Sequence, residues 1–329
     1  MVCRSPLRIL SVSMLVGLLL CVGCGPADQS FQRSTVRPVI GISVLTLTNP
    51  FFKELADSLA AEAATRGYDA VVVSGDVDPA KQQNQIKDFI VRRVAAIVLN
   101  PCGSTAVGPA IREANEAGIP VFTADIGCLD PEAKVVAHIA TDNERGGHEA
   151  AEAMIEALGN RGKVAILDFP EVESVILRTK GFRAELAART SPIEVVACLP
   201  GGAEREKSMK VMQDILQAQP DLAGVFAIND PSALGAVAAL EKAGRLEDVV
   251  VIGFDGQPDG KRAIRDGIIY ADPIQFPDRI GRQAAVAVCD YLEGLEVEPV
   301  QLIPTALYRQ ADAEADTTLD EPIKSPEAS

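Results

Sequence analysis

The chain has no tryptophan, only two histidines, and an aromatic content of 4%. With His138 and His148 alone, a histidine zinc centre or a Ser/His/Asp triad has little material. Of the seven cysteines, the four in the body of the chain, Cys102, Cys128, Cys198 and Cys289, form no CxxC pair and no Cys/His spacing suited to zinc. The chain also lacks a GxSxG nucleophile elbow, a GxxxxGK(S/T) phosphate loop and a GxGxxG dinucleotide turn. Positive charge is scarce too: 31 Lys and Arg against 46 Asp and Glu give a net charge of −15. That balance repels phosphate backbones and disfavours nucleic acid as a partner. These absences argue against an enzyme, a metal site and a bound cofactor.

What is present begins at the amino end. Arg4 and Arg8 precede a short apolar run over residues 9–20, closed by Cys21-Val22-Gly23-Cys24. The run is too short to span a bilayer as a mature helix and reads as an export signal over residues 1–23. A small residue followed by Cys resembles the cleavage box of bacterial lipoproteins, which makes Cys24 the lipidated first residue. Cys21 stands three before it, where leucine is usual, and an ordinary signal cut at another bond is the alternative. Either reading places the protein in the periplasm or cell envelope, and the first holds it to the membrane by a lipid anchor. Removing Arg4 and Arg8 with the signal shifts the charge to −15 − 2 = −17.

Residues 24–37 are polar and aperiodic and read as a tether. From residue 38 short apolar runs alternate with helical spacing. Strands are expected over 39–45, 70–73, 95–99 and 119–123, with helices over 51–66, 79–92 and 105–117. The pattern restarts with a helix over 144–158 and strands over 163–167, 193–199, 224–228, 249–252 and 268–270. Helices over 175–188, 204–217, 232–243, 260–265 and 279–292 separate and follow them. Strands alternating with helices of this length predict an α/β fold with right-handed βαβ units. Two parallel sheets of four or five strands exceed one doubly wound core, so two lobes divide near Ala140. The acidic tail over 311–329 reads as disordered.

In open parallel sheets, ligands gather where loops leave the carboxyl ends of the strands. Those places hold Thr46, Asn49, Phe51 and Phe52 after the first strand, Asn100 after the third and Asp125 after the fourth. In the second half they hold Asn229 and Asp255. Asn and Asp also cap helices and form turns, which accounts for any one of them alone. Cys102 and Cys128 follow two strand ends expected to be neighbours; a disulfide and two free buried thiols are both open.

Several segments together match a known family. Thr48-Asn49-Pro50-Phe51-Phe52, Ile97-Val98-Leu99-Asn100-Pro101 and Val225-Phe226-Ala227-Ile228-Asn229-Asp230 resemble periplasmic ribose-type sugar-binding proteins. So do Ala233-Leu234-Gly235-Ala236, Gly253-Phe254-Asp255-Gly256 followed by Pro258-Asp259-Gly260, and Gln275-Phe276-Pro277-Asp278. The resemblance runs in order over residues 38–309. It implies a type I periplasmic binding protein, a lipoprotein that binds the substrate of an ABC transporter. Two Rossmann-like lobes with parallel sheets would be joined by a three-segment hinge near 140–141, 273–275 and 300–304. The lobes would comprise 38–140 plus 276–298 and 141–274 plus 299–310. The ligand set carried over is Asn49, Phe51, Phe52, Asn100, Asp125, Asn229, Asp255 and Gln275, with Thr46 an outer member. The partners implied are a small-molecule sugar and the membrane subunits of an ABC permease. The alternative is a sugar-sensing lipoprotein that signals to a chemoreceptor or sensor kinase.

This set suits a saccharide, because Phe covers an apolar C–H face while Asn and Asp serve the hydroxyl rim. Three departures from the family stand out. Ile126 follows Asp125 where an Arg is expected, Ile176 holds the place of a second ligand Arg, and Ala203 that of an aromatic. Arg178 falls at a position that looks structural in the family. Both ligand arginines are therefore expected to be missing, with Ile126 and Ile176 adding apolar wall. A neutral or amino-bearing pentose, deoxy sugar or polyol fits this pattern better than ribose itself or a sugar acid. The same two-lobed body occurs in lactose-type repressors, but their DNA-binding head is here replaced by an export signal. A glycosidase using Asp125 and Asp255 is the enzymatic alternative.

Overall fold

The first half of the chain builds one Rossmann-like lobe in the computed structural model, which describes residues 37–320. The signal segment, Cys24, most of the tether and residues 321–329 lie outside the described residues. In chain order, β1 (Val39–Val44), α1 (Pro50–Thr65), β2 (Asp69–Ser74), α2 (Pro79–Arg92), β3 (Ala96–Leu99), α3 (Gly108–Glu116), β4 (Val121–Ala124) and β5 (His138–Thr141) make this lobe. The chain then crosses. α4 (Asn143–Leu158), β6 (Lys163–Asp168), α5 (Glu173–Ala188), β7 (Glu194–Pro200), α6 (Arg205–Ala218), β8 (Leu222–Ala227), α7 (Asp230–Ala243), β9 (Val250–Ile252), α8 (Pro258–Arg265) and β10 (Ala271–Ile274) make the second. α9 (Pro277–Leu292) and β11 (Val300–Ile303) return to the first lobe, and β12 (Ala306–Arg309) and α10 (Gln310–Ala315) finish on the second.

The two sheets repeat one plan. Their orders are β2-β1-β3-β4-β5-β11 and β7-β6-β8-β9-β10-β12. The first is parallel throughout, and in the second only β12 runs antiparallel, against β10. The 2-1-3-4-5 core of each is a doubly wound order with a topological switch beside its first strand. Central strands are buried on both faces, as Ile42, Val98 and Ile166 show on one face and Ile97, Leu99, Leu167 and Val225 on the other. Continuous apolar runs, rather than alternation, are what such strands need.

Local chemistry sets the helix starts. Asn49 and Asp78 cap α1 and α2 with side-chain oxygens, and Pro50 and Pro79 follow at the first helical position, where a missing N–H costs nothing. Asn229 caps α7 likewise, with Pro231 at its second helical position. Gly159 and Gly244 end α4 and α7 in the left-handed conformation that glycine adopts without strain.

Four expectations need correction. Each sheet has six strands rather than four or five. Residues 299–310 do not all belong to the second lobe, because Val300–Ile303 pair in parallel with β5 in the first sheet. Alternation in Val300–Ile303 shows only that it is an edge strand; its partner is a long-range choice. The strand expected at 268–270 instead occupies Ala271–Ile274. Pro273, in the expected hinge segment, needs only to accept, and its carbonyl takes the Asp255 N–H at 3.2 Å. Finally, residues 311–320 are ordered. Leu319 is buried, and Asp316 accepts from Tyr308 Oη at 3.0 Å and pairs with Lys261 at 3.4 Å. Lys261 lies 55 residues from Asp316, so the acidic composition of the tail did not reveal this anchor.

Candidate functional site

The carboxyl ends of both sheets face a single cavity of about 410 Å³. Its wall draws on equivalent strands of each lobe. Thr46, Asn49, Phe51 and Phe52 follow β1, while Phe169 follows β6; Asn229 follows β8; Asp125 follows β4 and Asp255 follows β9. Gln275, on the crossover after β10, closes the back. The structure thus brings together all but one of the residues singled out by sequence.

Asn100 is the exception. It is 1% exposed and does not line the cavity. Its oxygen accepts from Leu45 N at 3.0 Å, and its amide donates to Ala124 O at 2.9 Å and to Asp125 Oδ2 at 3.2 Å. Both donors are spent, so Asn100 aims Asp125 rather than offering itself to a ligand. The capping reading and the cavity reading both hold for Asn49 and Asn229. Asn49 Oδ1 takes Phe51 N at 2.9 Å, and Asn229 Oδ1 takes Ser232 N at 2.9 Å.

The two carboxylates differ in their surroundings. Asp125 Oδ1 is buried without a hydrogen-bond partner, as is Gln275 Oε1. Burial pushes Asp125 up to about 7, with Arg178 pulling the other way. Asp255 is fully engaged. Its Oδ1 accepts from Arg178 at 3.0 Å and Gln275 at 2.6 Å, and its Oδ2 accepts from Gln257 at 3.2 Å. Burial raises its pKa, and these donors, Arg178 first, hold it back. Both residues sit at positive φ, 64° for Asp125 and 101° for Asp255, a conformation that costs a non-glycine residue energy. Such strain persists where surrounding contacts over-determine it, and it concentrates at functional sites.

Arg178 corrects the expectation that the pocket has lost its guanidinium groups. It is 4% exposed, lines the cavity, bonds Asn143 Oδ1 at 2.8 Å and Ile228 O at 2.6 Å, and lies 3.9 Å over the Phe254 ring. The carboxylates are therefore partly compensated, by Arg178 rather than by Lys180, which pairs with Glu144 on the surface. Arg205 also reaches the cavity, from an exposed position at its rim. Ile176 does not reach it and is 38% exposed. The helical period explains the exchange: Val172, Val175 and Arg178 recur every three residues on one face of the start of α5, and Ile176 is turned about 100° from Val175. Gly147 and Gly181 let α4 and α5 approach so closely that a Cβ on either would collide with the other helix's backbone. That contact seats the turn carrying Arg178.

Sequence reasoning also missed Phe169, Val172 and Val175. Phe169 was open to the strand-end rule, since it follows the last residue of β6. It supplies the second-lobe aromatic where Ala203, also in the wall, cannot. Behind Asp255, the carboxyl groups of Asp230 and Asp272 are buried near one another, and Asp230 Oδ2 accepts from Gln257 N at 2.5 Å. Burial raises both pKa values above the usual carboxylate range.

The lobes also meet beside the cavity. Ser104 N donates to Glu171 O at 3.0 Å, and Ser104 Oγ accepts from Glu173 N at 2.8 Å. The proposed Cys102–Cys128 bridge is absent, and both thiols are free. Cys102 is committed elsewhere, with its sulfur 3.7 Å from Leu45 O.

Residues 40–296 match the family model described as a periplasmic binding protein domain. The chain is 40% identical over 274 residues to the ribose import binding protein of Escherichia coli, covering 82% of this chain and 91% of that protein. It is 35% identical over 279 residues to the D-apiose import binding protein of Paraburkholderia graminis, covering 84% and 88% respectively. Among solved structures, an ABC transporter solute-binding protein from Bacillus halodurans with bound myo-inositol superposes with a TM-score of 0.79 at 28% identity. That match covers 86% of this chain and 98% of the other. The repeated strand order, the cavity between the strand ends and these likenesses lead to one assignment: the chain belongs to the periplasmic binding protein family.

Proposed function

We propose that this protein is an extracytoplasmic receptor that captures a neutral monosaccharide or polyol between its lobes and delivers it to an ABC import permease. The observation that carries this reading is the pair of buried, unpartnered acceptors, Asp125 Oδ1 and Gln275 Oε1, carried by residues that line an aromatic-walled cavity. Buried acceptors without donors are costly, and a ligand rich in hydroxyl groups satisfies them. Phe51 and Phe52, edge to face at 5.1 Å, present ring surface for a sugar's C–H face. A sugar acid is disfavoured, since Arg178 already serves Asp255 and a ligand carboxylate would face Asp125. The protein binds without turnover: Asp255 is held by three donors, and its role is to order the wall. Closure about the three crossovers would bury the ligand, and the closed form is what a permease would recognise.

Thermal-shift measurements over pentoses, hexoses, deoxyhexoses, polyols and uronic acids test this reading. Stabilisation by at least one neutral sugar or polyol is expected. A response confined to uronic acids, or to none of these, would refute it. Lipid attachment through Cys24 belongs to the same proposal and rests on the cleavage box. Cys24→Ser should release the protein from the membrane fraction, and retention there would remove the anchor from the account.

A further inference from the structure

We infer that the ligand carries a methyl or other unhydroxylated end, and that 6-deoxyhexoses are the preferred class. This inference rests on the receptor reading and narrows it. The cavity is two-sided. Its acceptors and donors, Asp125, Arg178 and Gln275 among them, come from the floor and the crossover. A second stretch of wall is apolar and spans both lobes: Ile126 from the first, Phe169, Val172 and Val175 from the second. These four are 2%, 8%, 2% and 4% exposed and belong to one continuous hydrophobic cluster that joins the lobes.

Their placement follows from the chain. Ile126 follows Asp125 directly, where the backbone doubles back with Ile126 N bonded to Ala124 O at 2.8 Å. Val172 and Val175 occupy the face of α5 that also carries Arg178, so polar and apolar walls meet along one helix. A hydroxyl group pressed against these side chains would lose its water partners without replacement, whereas a methyl group would gain by burial. Ser174, between the two valines, is the polar side chain on this stretch that could change the outcome, because it also reaches the cavity.

The test compares matched sugars: L-fucose with L-galactose, L-rhamnose with L-mannose, D-fucose with D-galactose, and D-quinovose with D-glucose. Calorimetry on the purified mature protein should give at least one 6-deoxy sugar a preference of about 10- to 100-fold over its parent. Val175→Thr, nearly isosteric, should reduce that preference to within a few-fold by weakening the deoxy sugar more than its parent. Equal or tighter binding of the parents would overturn the inference, and loss of that advantage in Ser174→Ala would make Ser174 the anchor of a hydroxymethyl group. Binding of pentoses or polyols with no deoxyhexose response would overturn it too, while leaving the receptor reading intact. No response to any saccharide would sink both.

Discussion

Replacing Arg178 by Met tests the electrostatic logic of the site most directly. Methionine roughly keeps the apolar stem and can still lie against Phe254, so the change removes charge and donors more than volume. Three bonds go: to Asp255 at 3.0 Å, to Asn143 at 2.8 Å and to Ile228 O at 2.6 Å. Asp255, 7% exposed, is left with Gln257 and Gln275 as its side-chain donors. Removing one partner of a buried pair costs about 3–5 kcal/mol, because the other charge stays desolvated. At ~2–4 °C per kcal/mol for a protein of this size, the melting temperature should fall by roughly 6–20 °C. The loss must depend on pH. Burial raises the pKa of Asp255 in the folded state above that of the unfolded chain, so the native state holds the proton more tightly. Stability then falls as pH rises through the window between the two values. Arg178 narrows that window by favouring the carboxylate, and the variant widens it upward. The deficit should therefore be greatest near pH 8 and shrink by up to ~1.4 kcal/mol per pH unit on acidification. Thermal unfolding followed by circular dichroism from about pH 5 to 8 reads both quantities. A drop below about 2 °C at pH 8, or a pH-independent one, would show that Arg178 does not hold Asp255 in solution.

Other outcomes follow from the same geometry. Burial lifts Asp125 to about 7, and donating hydroxyl groups would favour its carboxylate. Affinity for a hydroxylated ligand should therefore decline as pH falls from about 8 to 6, and calorimetry showing flat affinity would put Asp125 outside ligand contact. Burial raises the pKa of both Asp230 and Asp272 in the folded state, so their contribution to stability falls as pH rises. Asp272→Asn should stabilise the protein near pH 8 by at least ~1 kcal/mol in thermal unfolding, and a loss there would show that the pair is net favourable when ionised. Thiol titration of denatured, unreduced protein should count Cys102, Cys128, Cys198 and Cys289 as free, and a shortfall of two would reveal a bridge.

The alternation of short apolar runs with helical spacing was enough to specify βαβ units and two lobes, because side-chain periodicity is a local property. Strand ends were legible for the same reason. Asn49, Asp125, Asn229 and Asp255 announce themselves where apolar runs stop, and the parallel-sheet rule turns those stops into a site. Phe169 fell within reach of that rule as well.

Other features depended on contacts between distant segments. Whether Asn100 faces a ligand or supports Asp125 depends on where Ala124 and Leu45 lie, and no local pattern carries that. Arg178 and Ile176 are two residues apart, and the sequence could not say which would turn inward; the close approach of α4 and α5 through Gly147 and Gly181 decided it. The allocation of Val300–Ile303 to the first sheet, and the docking of Leu319 and Asp316 on the second lobe, likewise followed from pairing and burial across the fold. Composition and periodicity determined the elements and their order, because backbone propensity acts over a few residues. Tertiary structure alone decided which charges meet, because charge partners are chosen by proximity in space and by the water excluded around them.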